Sequence, residues 1–228
     1  MWRKILASKT YVGALVGSLV AVSLFVVLRD MPVLANHGAY TASDGVGQVD
    51  GNGAFVASQG GRLNTATVSR GLDFPAEVVV DATGNRLFVA DVFNNRVLIY
   101  NLNATTKLLV DLIPDAVLGQ ADFTSKNSGV SVARMAGPRG LALDTANNRL
   151  FVVDERNNRV LVFDVAAITN GENAVNVLGQ ADFTSSGPGV TAATLDYPLA
   201  LAYDASGSRL FVADEGNARI LVFDVTTI

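Results

Sequence analysis

The chain has 228 residues, half of them hydrophobic and 17% charged, with a formal net charge of −4. That hydrophobicity excludes an intrinsically disordered chain, which needs low hydrophobicity and high net charge. There is no cysteine and a single histidine, His37, so disulfide frameworks, thiol catalysis, Cys-ligated zinc and multi-histidine metal sites are excluded within it.

Met1 to Thr10 carries Arg3, Lys4 and Lys9 without an acid, and Tyr11 to Leu28 then runs 18 residues without a charge. As one hydrophobic N-terminal helix this run would span about 27 Å, close to a bilayer's hydrocarbon thickness. Residues 1–35 therefore read as a signal peptide, with Val33-Leu34-Ala35 as a small-residue cleavage site, or as an uncleaved membrane anchor. Both readings make this segment contact the membrane and place the remainder outside the cytoplasm, secreted, periplasmic or anchored. Residues 1–35 hold four bases and one acid, so of 17 bases and 21 acids the remainder keeps 13 and 20, a net of −7. No basic surface for nucleic acid is expected.

Residues 36–73 contain eight glycines in 38 positions and read as a Gly-rich linker. Short strands are conceivable at 53–58 and 65–69. Asp50-Gly51-Asn52-Gly53 resembles the start of a calcium loop, but Ala54 stands where the next oxygen ligand is needed, so no metal is assigned there.

From Phe74 onward the chain repeats. Segments opening at Pro75, Pro138 and Pro198 align along their length, and the block VLGQADFTS begins at Val117 and again at Val177. The units are 74–136, 137–196 and 197–228, the last of them truncated. Each reads as four short strands, in the second unit about Gly140–Leu143, Leu150–Asp154, Val160–Asp164 and Ala174–Leu178, with Asn-Asn and Asn-Gly turn signals between them. The middle strands are continuously apolar, which requires burial on both faces. In the first strand large residues (Leu141, Leu143) flank a small one (Ala142), as suits a crowded radial centre. Four-stranded units with both faces buried describe an all-β β-propeller.

The repeated elements are an opening proline, a short apolar strand ending in Asp, then NRLFVAD and NNRVLVF. This pattern resembles the NHL-repeat family of propellers, and VLGQADFTS is similar to the roughly 60-residue version found in exported bacterial members. Phe74 to Ile228 holds about 2.6 such units. Closed propellers have about 4–8 blades, so an incomplete ring, belonging to the N-terminal part of a longer protein, is expected.

Residues present in every unit are expected to build the blade. Asp91 with Arg96, Asp154 with Arg159 and Asp214 with Arg219 are five apart in each unit, as are Asp81 with Arg86, Asp144 with Arg149 and Asp204 with Arg209. These read as structural ion pairs, Asn94, Asn157 and Asn217 as turn formers, and Asp122 and Asp182 as loop anchors. Function is expected where the units differ, after the opening proline and after the second strand. The candidates for ligand binding are Glu77, Arg139, Glu155, Arg156 and Glu215.

The resemblance implies two functional classes. The first is a non-catalytic binding or adhesion scaffold for protein or glycan, with no cofactor. The alternative is a metal-dependent lactonase-like hydrolase, since six-bladed relatives hold a divalent cation in the channel with Glu, Asn and Asp. Glu77 would then be the first ligand to test. Amidating lyases, which use histidines on zinc, find no ligand set here. The RNA-binding or ubiquitin-ligase-associated relatives need a basic face or many cysteines, and both are absent.

Overall fold

A computed structural model describes residues 71–228. The expected signal peptide or anchor, His37, the calcium-like Asp50–Gly53 segment and the possible strands at 53–58 and 65–69 lie outside the described residues. Among the described residues, no helix is long and apolar enough to cross a membrane.

The described chain is all-β. The first sheet contains β1 (Pro75–Asp81), β2 (Arg86–Asp91), β3 (Arg96–Asn101) and β4 (Ala116–Leu118). The second contains β5 (Pro138–Asp144), β6 (Arg149–Asp154), β7 (Arg159–Asp164) and β8 (Asn176–Leu178). The third contains β9 (Pro198–Asp204), β10 (Arg209–Asp214) and β11 (Arg219–Asp224). Strands run antiparallel and pair in chain order within each sheet. Pairing consecutive strands through tight turns is the low-entropy route for such short repeats. The strands expected of the repeat units are all present. The fourth is shorter than the sequence pattern implied, three residues instead of five.

The sheets stack face to face as propeller blades. One core layer joins Phe88, Ala90, Val97 and Ile99 of the first blade to Leu141, Leu150, Val152, Leu161 and Phe163 of the second. The next joins Ala142, Phe151, Val153, Val160 and Val162 to Leu210, Val212, Tyr203 and Phe223 of the third. Both faces of the second blade are thus covered, which is why its middle strands carry no polar alternation. Phe151 and Phe163 are fully buried on opposite faces, and truncating either would cost about 3–5 kcal/mol.

Inner strands β5 and β9 approach closely because Gly140 faces the third blade. A Cβ there would lie 2.9 Å from both Ala200 Cα and Leu199 O. The small residues of the inner strand therefore point toward the next blade, as the large-and-small pattern required. Three blades do not close a ring. On the third, Phe211, Ile220 and Val222 are exposed, although their counterparts Phe151, Val160 and Val162 are fully buried.

Candidate functional site

Pro75 pairs with Asp91, Asp91 with Arg96, and Val97 with Leu118. One end of each blade therefore carries the residues before the inner strand, the 3-10 turn between the second and third strands, and the long connection after the fourth. Repeated residues build this end. In the second blade Asp154 accepts from the Ala136 amide at 2.6 Å, from Asn157 Nδ2 at 2.9 Å and from Arg159 Nε at 2.8 Å. Arg159 also donates to the Ser131, Arg134 and Phe183 carbonyls. The same unit is formed by Asp91, Asn94 and Arg96, and by Asp214, Asn217 and Arg219. Each arginine thus ties the start of a third strand to loops that would otherwise hold unpaired carbonyls. Arg96 and Arg159 are fully buried with their aspartates, whereas Arg219 is partly exposed. Burial pushes the Asp91 and Asp154 carboxyls up, against the opposing pull of the amides and guanidinium groups around them.

The blades are stitched by asparagines in the left-handed region. Asn95 and Asn158 have φ of 53° and 52° and close the 3-10 turns. Their side chains accept from the Gly137 and Tyr197 amides of the following blade at 2.9 and 2.8 Å. Gln120 of the repeated block donates to the Asn95 and Asn127 carbonyls, and Gln180 repeats this on Asn158 and Gly187.

The opposite end holds the second repeated pair. Arg86 bonds Asp81 and reaches the Val165 carbonyl of the next blade, and Arg149 bonds Asp144 and reaches that of Val225. Arg209 departs from the expected pairing: its ion pair is with Asp224, at 2.9 Å, not with Asp204. Arg209 also donates to the Gly207 carbonyl, at 2.8 Å.

The residues that differ between units behave otherwise. Glu77 and Arg139 lie where the pairing of β1 with β2 and of β5 with β6 shifts register, a β-bulge just inside the opening proline. Bulges re-aim side chains at the edge of a sheet. Arg139 is ion-paired with Glu155, which is itself buried. The Arg139 guanidinium lies over the Phe74 ring at 5.6 Å, Phe74 stacks on Phe93 at 5.1 Å, and the Arg156 guanidinium lies over Phe93 at 5.7 Å. Arg139, Glu155 and Arg156 are therefore brought together, in a ladder with two aromatic rings at the junction of the first two blades. Glu77 and Glu215 are exposed, and neither side chain makes a hydrogen bond or ion pair among the described residues.

Phe74 and Phe93 were not singled out by the sequence reading. The signal for Phe74 lies in the residue before each opening proline, which is Phe74, Gly137 or Tyr197. All three have positive φ, 60°, 70° and 50°. For Phe and Tyr this costs about 1–2 kcal/mol each. Both rings are about half exposed.

A family model described as "Lactonase, 7-bladed beta-propeller" matches residues 77–227. NHL repeat-containing protein 2 of Gallus gallus is 30% identical over 149 residues, covering 63% of this chain and 19% of that protein. Its Bos taurus counterpart is 32% identical over 105 residues, covering 43% and 13%. The chain thus spans less than a fifth of these relatives' length. Among solved structures, an auxiliary nutrient binding protein from Bacteroides thetaiotaomicron shows 17% identity and a TM-score of 0.46, over 63% of this chain and 35% of that one.

Proposed function

The chain belongs to the family described as seven-bladed β-propeller lactonases and is built of NHL-type repeats; within that fold we propose that it acts as a non-catalytic binding scaffold. It is displayed outside the cytoplasm and takes a protein or glycan on the loop-bearing end of its blades. One observation carries this reading. The repeated charged residues at that end are consumed in building it, while Arg139, Glu155, Arg156, Phe74 and Phe93 form one assembly at a single junction. A feature needed to make a blade recurs in each blade. This one does not, since Leu199 and Gly216 replace Arg139 and Arg156 in the third unit. Export is supported by the basic and apolar start of the chain.

The family match favours a second reading, hydrolysis of a lactone. In six-bladed relatives such chemistry implies a divalent cation held by Glu, Asn and Asp. No three of His, Cys, Asp and Glu come together among the described residues, and Glu77 has no carboxylate partner there. No step is therefore derived through a metal.

The two readings part in one experiment. The purified chain is passed over a glycan array and a panel of immobilised extracellular proteins. In parallel it is assayed on a lactone panel with and without Ca²⁺, Mg²⁺, Mn²⁺ and Zn²⁺. Saturable binding without turnover is expected. Metal-dependent hydrolysis, or a blank on both binding panels, would overturn the scaffold reading.

A further inference from the structure

We infer that Arg156 is the anchor of a recognition site for a peptide carboxylate, an Asp or Glu side chain of a protein partner, at the junction of the first and second blades. The inference rests on the scaffold reading and names the ligand chemistry of that same end.

Arg156 is exposed, and its guanidinium makes no hydrogen bond or ion pair among the described residues. It is nonetheless held in place, lying 5.7 Å from the Phe93 ring centroid with its stem against Gly137. A Cβ on Gly137 would come 3.4 Å from Arg156 Nε, and the corresponding positions of the other units carry Phe74 and Tyr197. The arginine stem thus lies in contact range of the Gly137 backbone. The neighbouring Glu155 does not neutralise Arg156, because it is already paired with Arg139. A guanidinium shielded on one face by an aromatic ring keeps its planar fork of donors free at the edge. That geometry matches a carboxylate in a bidentate contact.

A peptide suits the site better than an acidic sugar. Sugars stack on an open aromatic face, but the Phe74 ring already has Arg139 and Phe93 against it. What it offers outward is the rest of a half-exposed ring, an apolar shoulder for the side chain beside the acid.

The test follows the arginine Nε–Hε signals of the labelled chain by NMR. The probes are a blocked tetrapeptide with one glutamate beside one phenylalanine, its glutamine counterpart, and trigalacturonate. The Arg156 signal is assigned by its loss in Arg156→Lys. It should shift saturably with the glutamate peptide, and at least tenfold more glutamine peptide should be needed. Arg156→Gln should weaken the glutamate peptide at least tenfold with an unchanged melting temperature. Arg156→Lys, which keeps the charge but loses the fork, should fall between. An absent shift, an equal response to the glutamine peptide, or binding that survives Arg156→Gln would overturn the site. Preference for trigalacturonate would overturn the peptide assignment. If array binding persists in Arg156→Gln while the peptide has no effect, this site fails and the scaffold reading stands. Blank panels together with an absent peptide shift would overturn both.

Discussion

At the residue scale, a side chain's role follows from whether its contacts recur. Asp154 with Arg159 and Arg156 with Phe93 lie within a few positions of one another, yet the first arrangement appears in all three blades and the second in one. Tyr100 is informative in the same way. It occupies the place of Phe163 and Phe223 in the third strand, is fully buried, and its hydroxyl has no hydrogen-bond partner among the described residues. Burial accordingly pushes that hydroxyl well above its ordinary pKa. An unsatisfied buried hydroxyl costs about 1–3 kcal/mol. Tyr100→Phe should therefore raise stability by about 1 kcal/mol or more in denaturant titration. A loss of stability would mean that the hydroxyl has a partner.

At the scale of the element, most of the fold was legible. Strand positions could be read because the apolar runs of the first two strands each stop at an Asp and the next strand opens at an Arg five residues on, and those two residues bracket the turn. Less legible was the VLGQADFTS block, which holds little secondary structure. Its purpose is hydrogen bonding: Gln120 satisfies two carbonyls, and Asp122 Oδ1 accepts from the Thr124 hydroxyl and from the Thr124 and Ser125 amides. Those donors hold the exposed Asp122 carboxyl at a pKa of about 2, and Asp182 likewise. A depressed folded-state pKa gives a contribution present above the ordinary carboxyl range and lost as pH falls through about 2. An NMR titration should give Asp122 a midpoint near that value, and Thr124→Val should move it upward. A midpoint near 3.8 in the parent chain would show that the turn does not form.

Sequence spacing located the candidate positions but not their grouping. Arg139 and Glu155 are 16 residues apart and meet only because Pro138 pairs with Asp154 across β5 and β6. Phe74 and Phe93 meet by the corresponding pairing one blade earlier. Glu77 and Glu215 had the same standing by sequence and acquire no partner among the described residues. What decides between them is the register across the bulge and the contact between successive blades, and neither is visible in a single unit.

For the whole molecule, one end of the blades divides into residues that hold it together and residues proposed to face a ligand. Arg159 and Arg156 are three positions apart and test that division in one experiment. Arg159→Met strands a buried aspartate and should cost about 3–5 kcal/mol. Arg156→Gln removes an exposed side chain with no polar partner and should change stability by less than about 0.5 kcal/mol. The measurement is the melting temperature of both variants beside titration with the glutamate peptide. A large drop for Arg159→Met, with Arg156→Gln melting normally and losing the peptide, is the predicted result. A normal melt for Arg159→Met, or peptide binding untouched by Arg156→Gln, would contradict it.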